Sequence, residues 1–364
     1  MEEILNRKNL YLNLLELIEN KESCGIATVT YTQGSTPQKP GSSALFNNSG
    51  LFAGTVGGGY VEHDVVKQAR ESINTKKSTY HRFDLDDEIE KEGSVICGGR
   101  MRVLIDANPE KHQQTFTLLK ESHENRIPGV LISTVNSLSE KELDINRFWI
   151  TTENRDNILK ELPKIAWEKI QLMLEQPRFG DFEEIVIHTS PEVEDIHILL
   201  EAIVPLPQLF IAGAGHVGQA ITHLGNLLDF HVTTWDDREE YANETNLPDA
   251  HRVLSGELNK SLEQIVIDRN TFIVIVTRGH QYDSEVLRKV IASNAGYIGM
   301  IGSKKKVAQV RQQFINNKWA TPEQWNKIYT PIGLDIHSKT VQEIAISIVA
   351  ELIKVRYELN QVYE

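Results

Sequence analysis

The sequence predicts an α/β protein with two domains, in which a mixed α+β domain is followed by a doubly wound parallel sheet. The first observation is residues 208–237, where an apolar run of strand length, a glycine-rich turn, a helical pattern and a second β-rich run follow one another. The second is the regular alternation of strand and helix patterns beyond Pro205-Leu-Pro207, which contrasts with the irregular pattern before it. Because the two prolines form a stiff interruption, we predict domains at 1–204 and 205–364.

The composition is that of an ordinary globular protein. The chain has 364 residues, 40% hydrophobic and 24% charged, and no apolar run is long enough to span a bilayer. Its start is an acidic amphipathic helix without the features of a signal peptide, and its two cysteines make no disulfide framework. A formal net charge of −13 disfavours a nucleic-acid backbone as partner. We therefore expect a cytoplasmic protein that binds neither membranes nor nucleic acid.

The N-terminal domain is predicted to combine short strands with a few helices. Strands are predicted at 25–31, 43–46, 50–53, 79–83 and 95–105. The turn residues Asn47-Asn48-Ser49 predict that the second and third of these form a hairpin. Residues 110–203 are expected to complete the same sheet and to add helices, with strands at 130–135, 148–151 and 182–188 and a helix at 158–175.

A glycine triplet in this domain is a candidate anion-binding turn. Gly57, Gly58 and Gly59 precede a helix predicted for residues 60–73, and Glu62 lies in its first turn, where it interacts with the helix dipole. The alternative is that these glycines only serve turns with positive φ. Cys97, followed by two glycines, is a candidate reactive thiol, and the alternative is a small buried cysteine.

The second domain shows the more regular pattern. Its strands are predicted at 209–212, 231–235, 252–254, 271–277, 296–301 and 327–330. A long helix is predicted at 340–359, because Thr340 and Glu343 form a capping box before an apolar stripe. That stripe belongs either to the core or to the interface of a homodimer.

The motif Gly213-Ala-Gly215-His-Val-Gly218 is typical of a Rossmann-like dinucleotide-binding unit, because it lies between a strand and a helix. Gly213 permits the tight turn, Gly215 lets the backbone approach a diphosphate, and Gly218 lets the helix pack close to the strand. His216 lies inside this turn, where it contacts a phosphate, carries a proton or is simply packed.

Three further segments follow strand ends, which is the edge of an open α/β sheet where ligands bind. They supply the candidate ligand-binding residues Asp236, Arg278, His280, Gly302, Ser303 and Lys304. Each has a structural alternative: Asp236 caps a helix, Arg278 pairs with Asp283, and only one of the three adjacent lysines at 304–306 points inward.

Together these segments resemble the XdhC/CoxI family, accessory proteins for the maturation of xanthine and carbon monoxide dehydrogenases. The matching motifs are GSTPQKPG (34–41), GTVGGGYVE (54–62), ICGG (96–99), GAGHVG (213–218), DDRE (236–239), TRGHQYD (277–283), YIGMIGSKKK (297–306) and PIGLDI (331–336). They span both domains in the family's order, while residues from about 110 to 203 match no motif. Tyr60 departs from the family, in which many sequences have a cysteine or small residue at that position.

The resemblance implies a chaperone that binds molybdenum cofactor (molybdopterin), protects it while a terminal sulfur is installed, and delivers it to an apo molybdenum hydroxylase of the xanthine dehydrogenase type. It implies a cysteine desulfurase as a further partner. Under this interpretation the glycines of the 213–218 turn hold the phosphate end, Lys304 and Arg278 neutralise it, and Cys97 or His216 lies towards the metal.

Two alternatives remain. One is an NAD(P)-dependent oxidoreductase, in which Asp236 contacts a ribose hydroxyl and His280 donates a proton. An acid at position 236 favours NAD over NADP. The other is a nucleotide-sensing regulatory protein, which only the fold supports.

Overall fold

The computed structural model describes residues 9–85, 99–139, 142–154, 162–178, 180–188 and 195–361. The chain divides into two compact units, the first ending at Pro205 and the second beginning at Leu206. The fold class predicted from the sequence is confirmed: a Rossmann-like unit follows an α+β unit.

The first unit contains a five-stranded antiparallel sheet with the order β3-β2-β1-β5-β4. Its strands are β1 (Cys24–Gly34), β2 (Ser43–Asn47), β3 (Gly50–Gly54), β4 (Thr79–Asp84) and β5 (Gly99–Asp106). The hairpin predicted around Asn47-Asn48-Ser49 is confirmed as β2 and β3.

Helices cover both faces of this sheet. They are α1 (Leu10–Glu19), α2 (Gly59–Thr75) and α3 (Gln113–Glu124), the last preceded by a 3₁₀ turn at Pro109–His112. Helix α2 buries Val61, Val65 and Ala69 against one face, as its apolar spacing predicts. Helices α1 and α3 pack with Ile26 and Leu45 in a second cluster. The sequence analysis did not predict α3.

The described strands between residues 129 and 203 form a second sheet rather than completing the first, so that prediction was wrong. The strands β6 (Gly129–Ser139), β7 (Glu142–Ile150), β8 (Phe182–Ile187) and β9 (Ile196–Ile203) have the order β7-β6-β9-β8 and are antiparallel, and α4 (Lys164–Glu175) packs on them. Leu104 of the first sheet clusters with Val135 and Leu199 of the second, because the two sheets bury apolar faces against each other.

Polar contacts also hold the interior of the first unit. The Arg147 Nη2 atom lies 3.2 Å from the Asp106 Oδ2 atom, with side chains 3% and 2% exposed. The Tyr11 hydroxyl donates to the Glu201 carboxyl. Burial raises the pKa of Glu201 from its ordinary 4.5 to about 7, although the Tyr11 hydrogen bond and the Arg147 charge both act to lower it.

The raised pKa of Glu201 predicts a pH-dependent stability. Between pH 4.5 and about 7 the folded state keeps a proton that the unfolded state releases, so the free energy of unfolding falls as the pH rises through this window. We expect Glu201→Gln to lack this fall, which should amount to about 1–3 kcal/mol. Urea denaturation of both proteins across the window measures the difference, and parallel pH profiles would contradict the prediction.

The second unit is a parallel five-stranded sheet with helices on both faces. The strands β10 (Gln208–Ala212), β11 (His231–Asp236), β12 (Arg252–Ser255), β13 (Thr271–Ile275) and β14 (Tyr297–Met300) have the order β12-β11-β10-β13-β14. The helices are α5 (His216–Leu227), α6 (Leu258–Leu262), α7 (His280–Val290), α8 (Lys304–Asn316), α9 (Pro322–Trp325) and α10 (Val341–Gln361). Helices α5 and α10 cover one face, and α7 and α8 cover the other.

One predicted strand of this unit is absent from the described chain. Residues 327–330 form a single bridge between Tyr329 and Gly299. The chain then reaches Pro331, which has no backbone N–H group with which to extend a ladder.

The predicted C-terminal helix is confirmed as α10. The Glu343 backbone N–H group donates to Thr340 Oγ1 at 3.2 Å, and the Thr340 N–H group donates to Glu343 Oε2 at 2.9 Å, which completes the capping box. Ile348 and Leu352 of its apolar stripe are buried in the core. Across the described ranges, no helix is long and apolar enough to cross a membrane.

Candidate functional site

The glycine turn after β10 is shaped by two positions at which a side chain does not fit. Gly213 has a φ of 122°, and a Cβ atom there would lie 2.4 Å from the Val276 carbonyl oxygen. A Cβ atom on Gly218 would lie 1.8 Å from the Gly213 carbonyl oxygen. By contrast, a Cβ atom on Gly215 meets nothing within 4 Å. Gly213 and Gly218 therefore leave no room for a side chain, whereas the space beside Gly215 is open.

Two helices begin beside this opening without a side-chain cap. The N-cap residues are Gly215 for α5 and Gly279 for α7, and a Cβ atom on either would meet no atom within 4 Å. The helices follow β10 and β13, which are neighbours in the sheet and mark the switch in strand order. Free N–H groups and helix dipoles at this position favour an anion.

The Asp236 carboxylate holds the glycine turn in place. Its Oδ2 atom accepts from the Ala214 backbone N–H group at 2.9 Å and from Arg238 Nη2 at 3.1 Å. Its Oδ1 atom accepts from the Arg238 backbone N–H group at 3.2 Å and from Arg238 Nε at 2.9 Å. Burial alone would raise the pKa of Asp236, but the hydrogen bonds from Arg238 and Ala214 hold that pKa below its ordinary value. Asp236 therefore anchors the turn rather than capping a helix.

Arg278 stands at the rim of this edge. Its Nη2 group donates to Asp237 Oδ2 at 2.8 Å and to the Tyr282 hydroxyl at 2.7 Å, and its guanidinium lies 4.6 Å from the centre of the Tyr282 ring. Its side chain is still 42% exposed. The alternative that Arg278 pairs with Asp283 is wrong, because Asp283 has other partners.

Asp283 is fully buried beneath the loop that follows β13. Its Oδ1 atom accepts from the Thr277 backbone N–H group at 3.0 Å and from the Thr277 hydroxyl at 2.6 Å. Its Oδ2 atom accepts from Lys306 Nζ at 2.5 Å, and Lys306 also donates to the Ile301 carbonyl oxygen at 3.2 Å. This ion pair fixes the loop in front of α7.

Lys306 is thus the lysine of the 304–306 run that points inward, whereas Lys304 and Lys305 are exposed. Ser303 caps α8, since its hydroxyl accepts from the Lys306 N–H group at 3.3 Å. Gly302 is half-buried beside the Lys306 side chain. Sequence reasoning selected Lys304 and missed Lys306. The signal that identifies Lys306 is the apolar face of α8 at Val310 and Phe314, whose helical spacing directs position 306 towards the sheet.

The remaining candidates differ in their surroundings. His216 is exposed at the first residue of α5. The His280 side chain and Cys97 lie outside the described residues. In the ranges that the structure describes, no group of three or more His, Cys, Asp or Glu side chains is arranged to hold a metal ion.

In the first unit, the glycine triplet forms a second open turn. Gly57 has a φ of 133°, and a Cβ atom there would lie 2.9 Å from Pro37, whereas Gly58 and Gly59 face open space. The Thr55 hydroxyl donates to Glu62 Oε2 at 2.7 Å and accepts from the Gly57 N–H group at 3.1 Å. Glu62 is therefore tied to the turn at the start of α2.

Comparisons with known proteins place these two units in one family. Residues 209–352 match a family model described as the XdhC Rossmann domain, and residues 17–84 match one described as the XdhC and CoxI family. A curated Bacillus subtilis (strain 168) protein, described as a probable xanthine dehydrogenase subunit, is 24% identical over 350 residues, which cover 96% of this chain and 98% of that protein. The uncharacterized protein YqeB of Escherichia coli (strain K12) is 32% identical over 151 residues, or 41% of this chain and 27% of YqeB.

A solved structure has the same fold. The crystal structure of a xanthine dehydrogenase from Bacillus halodurans, at 2.80 Å resolution, aligns with a TM-score of 0.72 at 22% identity and covers 97% of this chain and 98% of that one. The two matched family regions lie in the two units of the chain, in the order of the motifs quoted above. The chain is a member of the XdhC and CoxI family.

Proposed function

We propose that the protein is a maturation factor that binds molybdenum cofactor, protects it during sulfuration, and delivers it to an apo-enzyme of the xanthine dehydrogenase type. The family and the names of its relatives support a role connected with xanthine dehydrogenase. A cysteine desulfurase as the sulfur donor, a homodimer and a cytoplasmic location belong to the same proposal.

The observation that carries the proposal is the open turn at Gly215 beside the uncapped start of α7. The cofactor is a pterin that ends in a phosphate or diphosphate, and such a group fits backbone N–H donors at a helix start. The N–H groups at the starts of α5 and α7 would hold this end, and the exposed Arg278 would neutralise part of its charge. When bound, the cofactor supplies a molybdenum centre for the client enzyme.

The arrangement of Asp236 favours this function over an NAD-dependent oxidoreductase. An NAD-specific site needs a carboxylate with a free lone pair for the ribose hydroxyls. The four hydrogen bonds from Ala214 and Arg238 use the lone pairs of both Asp236 oxygen atoms. The prediction that Asp236 contacts a ribose hydroxyl therefore has no support from this geometry. Only the fold supports the alternative of a nucleotide-sensing protein.

The test is equilibrium binding of anaerobically released molybdenum cofactor, with NAD as competitor, to wild type and Gly215→Asp. Aspartate is a favourable N-cap residue, so the variant should fold, but its carboxylate occupies the opening and repels the phosphate. We expect wild type to bind the cofactor without displacement by NAD, and the variant to lose at least about tenfold in affinity.

Gln309→Glu is the matched control, because it adds the same charge at an exposed position in α8. Equal loss in both variants would indicate a general charge effect. Binding of NAD in place of the cofactor would contradict the proposal and favour the oxidoreductase.

A further inference from the structure

The first unit contains a groove in which three arginines from neighbouring strands meet. In the pairing of β1, β5 and β4, Tyr31 lies opposite Arg102 and Arg102 opposite Arg82. Two residues further along, Gln33 lies opposite Arg100 and Arg100 opposite Asp84. Side chains at this spacing share one face of a sheet. These six residues line a cavity of about 430 Å³, which we call the arginine groove.

The groove is the exposed continuation of a buried face. The same face of β5 is buried at Leu104, where it meets Val135 and Leu199 of the second sheet. The Arg102 side chain is 17% exposed and the Arg100 side chain is 65% exposed, so burial of this face decreases from Leu104 towards Arg100. An apolar sheet face thus becomes a polar one within four residues of β5.

Arg102 is fixed at the inner end of the groove. It forms an ion pair with Glu184, whose side chain is 8% exposed, and its Nε group donates to the Thr30 hydroxyl at 3.2 Å. The His197 ring shares the Glu184 carboxylate at 2.9 Å. The Arg102 guanidinium lies 5.7 Å from the centre of the Tyr31 ring. Arg102 therefore forms the rigid wall of the groove.

The other two arginines have donors to spare. Within the described ranges, the Arg100 guanidinium contacts only Asp84, through Nε at 3.3 Å, and neither of its Nη groups has a partner there. Arg82 is exposed and forms no hydrogen bond or ion pair with any residue that the structure describes. Among the residues that the structure describes, three arginines against Asp84 and Glu184 leave a surplus of one positive charge in the groove, in a chain whose net charge is −13.

We propose that the arginine groove binds the phosphate monoester of a small planar molecule. Guanidinium groups match the oxygen atoms of a phosphate with paired N–H donors, and the surplus positive charge of the groove favours an anion. The cavity is of ligand size, far larger than a phosphate group needs. Tyr31, 43% exposed beside Arg102, offers a ring on which a flat heterocycle stacks. The residues that carry this proposal lie in the first unit and are different from those that carry the function proposed above.

The test measures binding of AMP, adenosine and inorganic phosphate to the full chain by titration calorimetry. Gly215→Asp is the background for every protein, so that the turn in the second unit does not contribute. We expect AMP to bind at least about tenfold more tightly than adenosine. Arg82→Gln and Arg100→Gln should each lower the affinity for AMP by about tenfold. Tyr31→Leu should weaken AMP by about tenfold while leaving inorganic phosphate unchanged.

Arg311→Gln is the control, because it removes the same charge from an exposed position on α8. If Arg82→Gln and Arg311→Gln bind AMP equally well, or if AMP shows no saturable binding at millimolar concentration, the proposal is wrong. Since Arg82 is exposed and forms no hydrogen bond or ion pair within the described chain, its replacement should leave the fold intact. If Arg100→Gln no longer shows a cooperative thermal unfolding transition, the AMP affinity of Arg82→Gln alone decides whether the proposal holds.

Discussion

Replacement of Lys306 by methionine is expected to lower the free energy of unfolding of the second unit by about 3–5 kcal/mol. The Asp283 side chain is 0% exposed and its partner Lys306 Nζ lies 2.5 Å away. Removing the lysine leaves a buried carboxylate without its cation, and the two hydrogen bonds from Thr277 do not replace that charge. The loss in unfolding free energy is measured by denaturant unfolding, with hydrogen exchange of peptides from residues 206–364 as the readout.

The neighbouring lysines supply matched controls. Lys304→Met and Lys305→Met remove the same charge from exposed positions of the same helix turn, and each should change stability by less than about 0.5 kcal/mol. A double variant, Lys306→Met with Asp283→Asn, should recover part of the loss because it removes the unpaired charge. If Lys306→Met costs no more than Lys305→Met, the ion pair does not stabilise the fold.

Gly218→Ala is expected to destabilise the second unit by about 3 kcal/mol, although alanine is ordinarily the better helix former. The added Cβ atom would lie 1.8 Å from the Gly213 carbonyl oxygen. That oxygen belongs to the backbone of a tight turn, so a rotamer change does not relieve the clash. Helix α5 would have to move away from β10 and disturb the start of the site.

The comparison with Gly215→Ala separates packing from function. Its Cβ atom meets nothing within 4 Å, so stability should change by less than about 1 kcal/mol. Cofactor binding is the property that this variant should weaken. Equal stability of Gly218→Ala and wild type would mean that the helix does not pack this closely on the turn.

The sequence was most informative where the signal is local. The roles of Gly213 and Gly218 follow from their spacing between a strand and a helix, and the structure has both glycines in close backbone contact. The capping box at Thr340 is equally local and was also predicted correctly. Such features depend on the conformation of a few consecutive residues, which is why they can be read from the chain alone.

Features that depend on distant partners were not predicted. Residues 129–203 contain strands, but the choice between a second sheet and an extension of the first depends on which faces bury each other, as at Leu104 and Val135. The choice of Lys306 over Lys304 depends on the phase of α8 against the sheet. The arginine groove was not predicted, because its three arginines come from β4 and β5, which are separated by residues 85–98 of the chain.

The anchoring of the glycine turn by Asp236 has a consequence for how a ligand meets it. The Ala214 N–H group is already held by the Asp236 carboxylate, and the Arg238 guanidinium that completes this contact is stacked 3.8 Å from the centre of the Tyr241 ring. The turn is therefore ordered before any ligand arrives, and association does not carry the entropy cost of ordering a loop. A ligand that binds at this turn therefore meets backbone N–H groups that are already held in position.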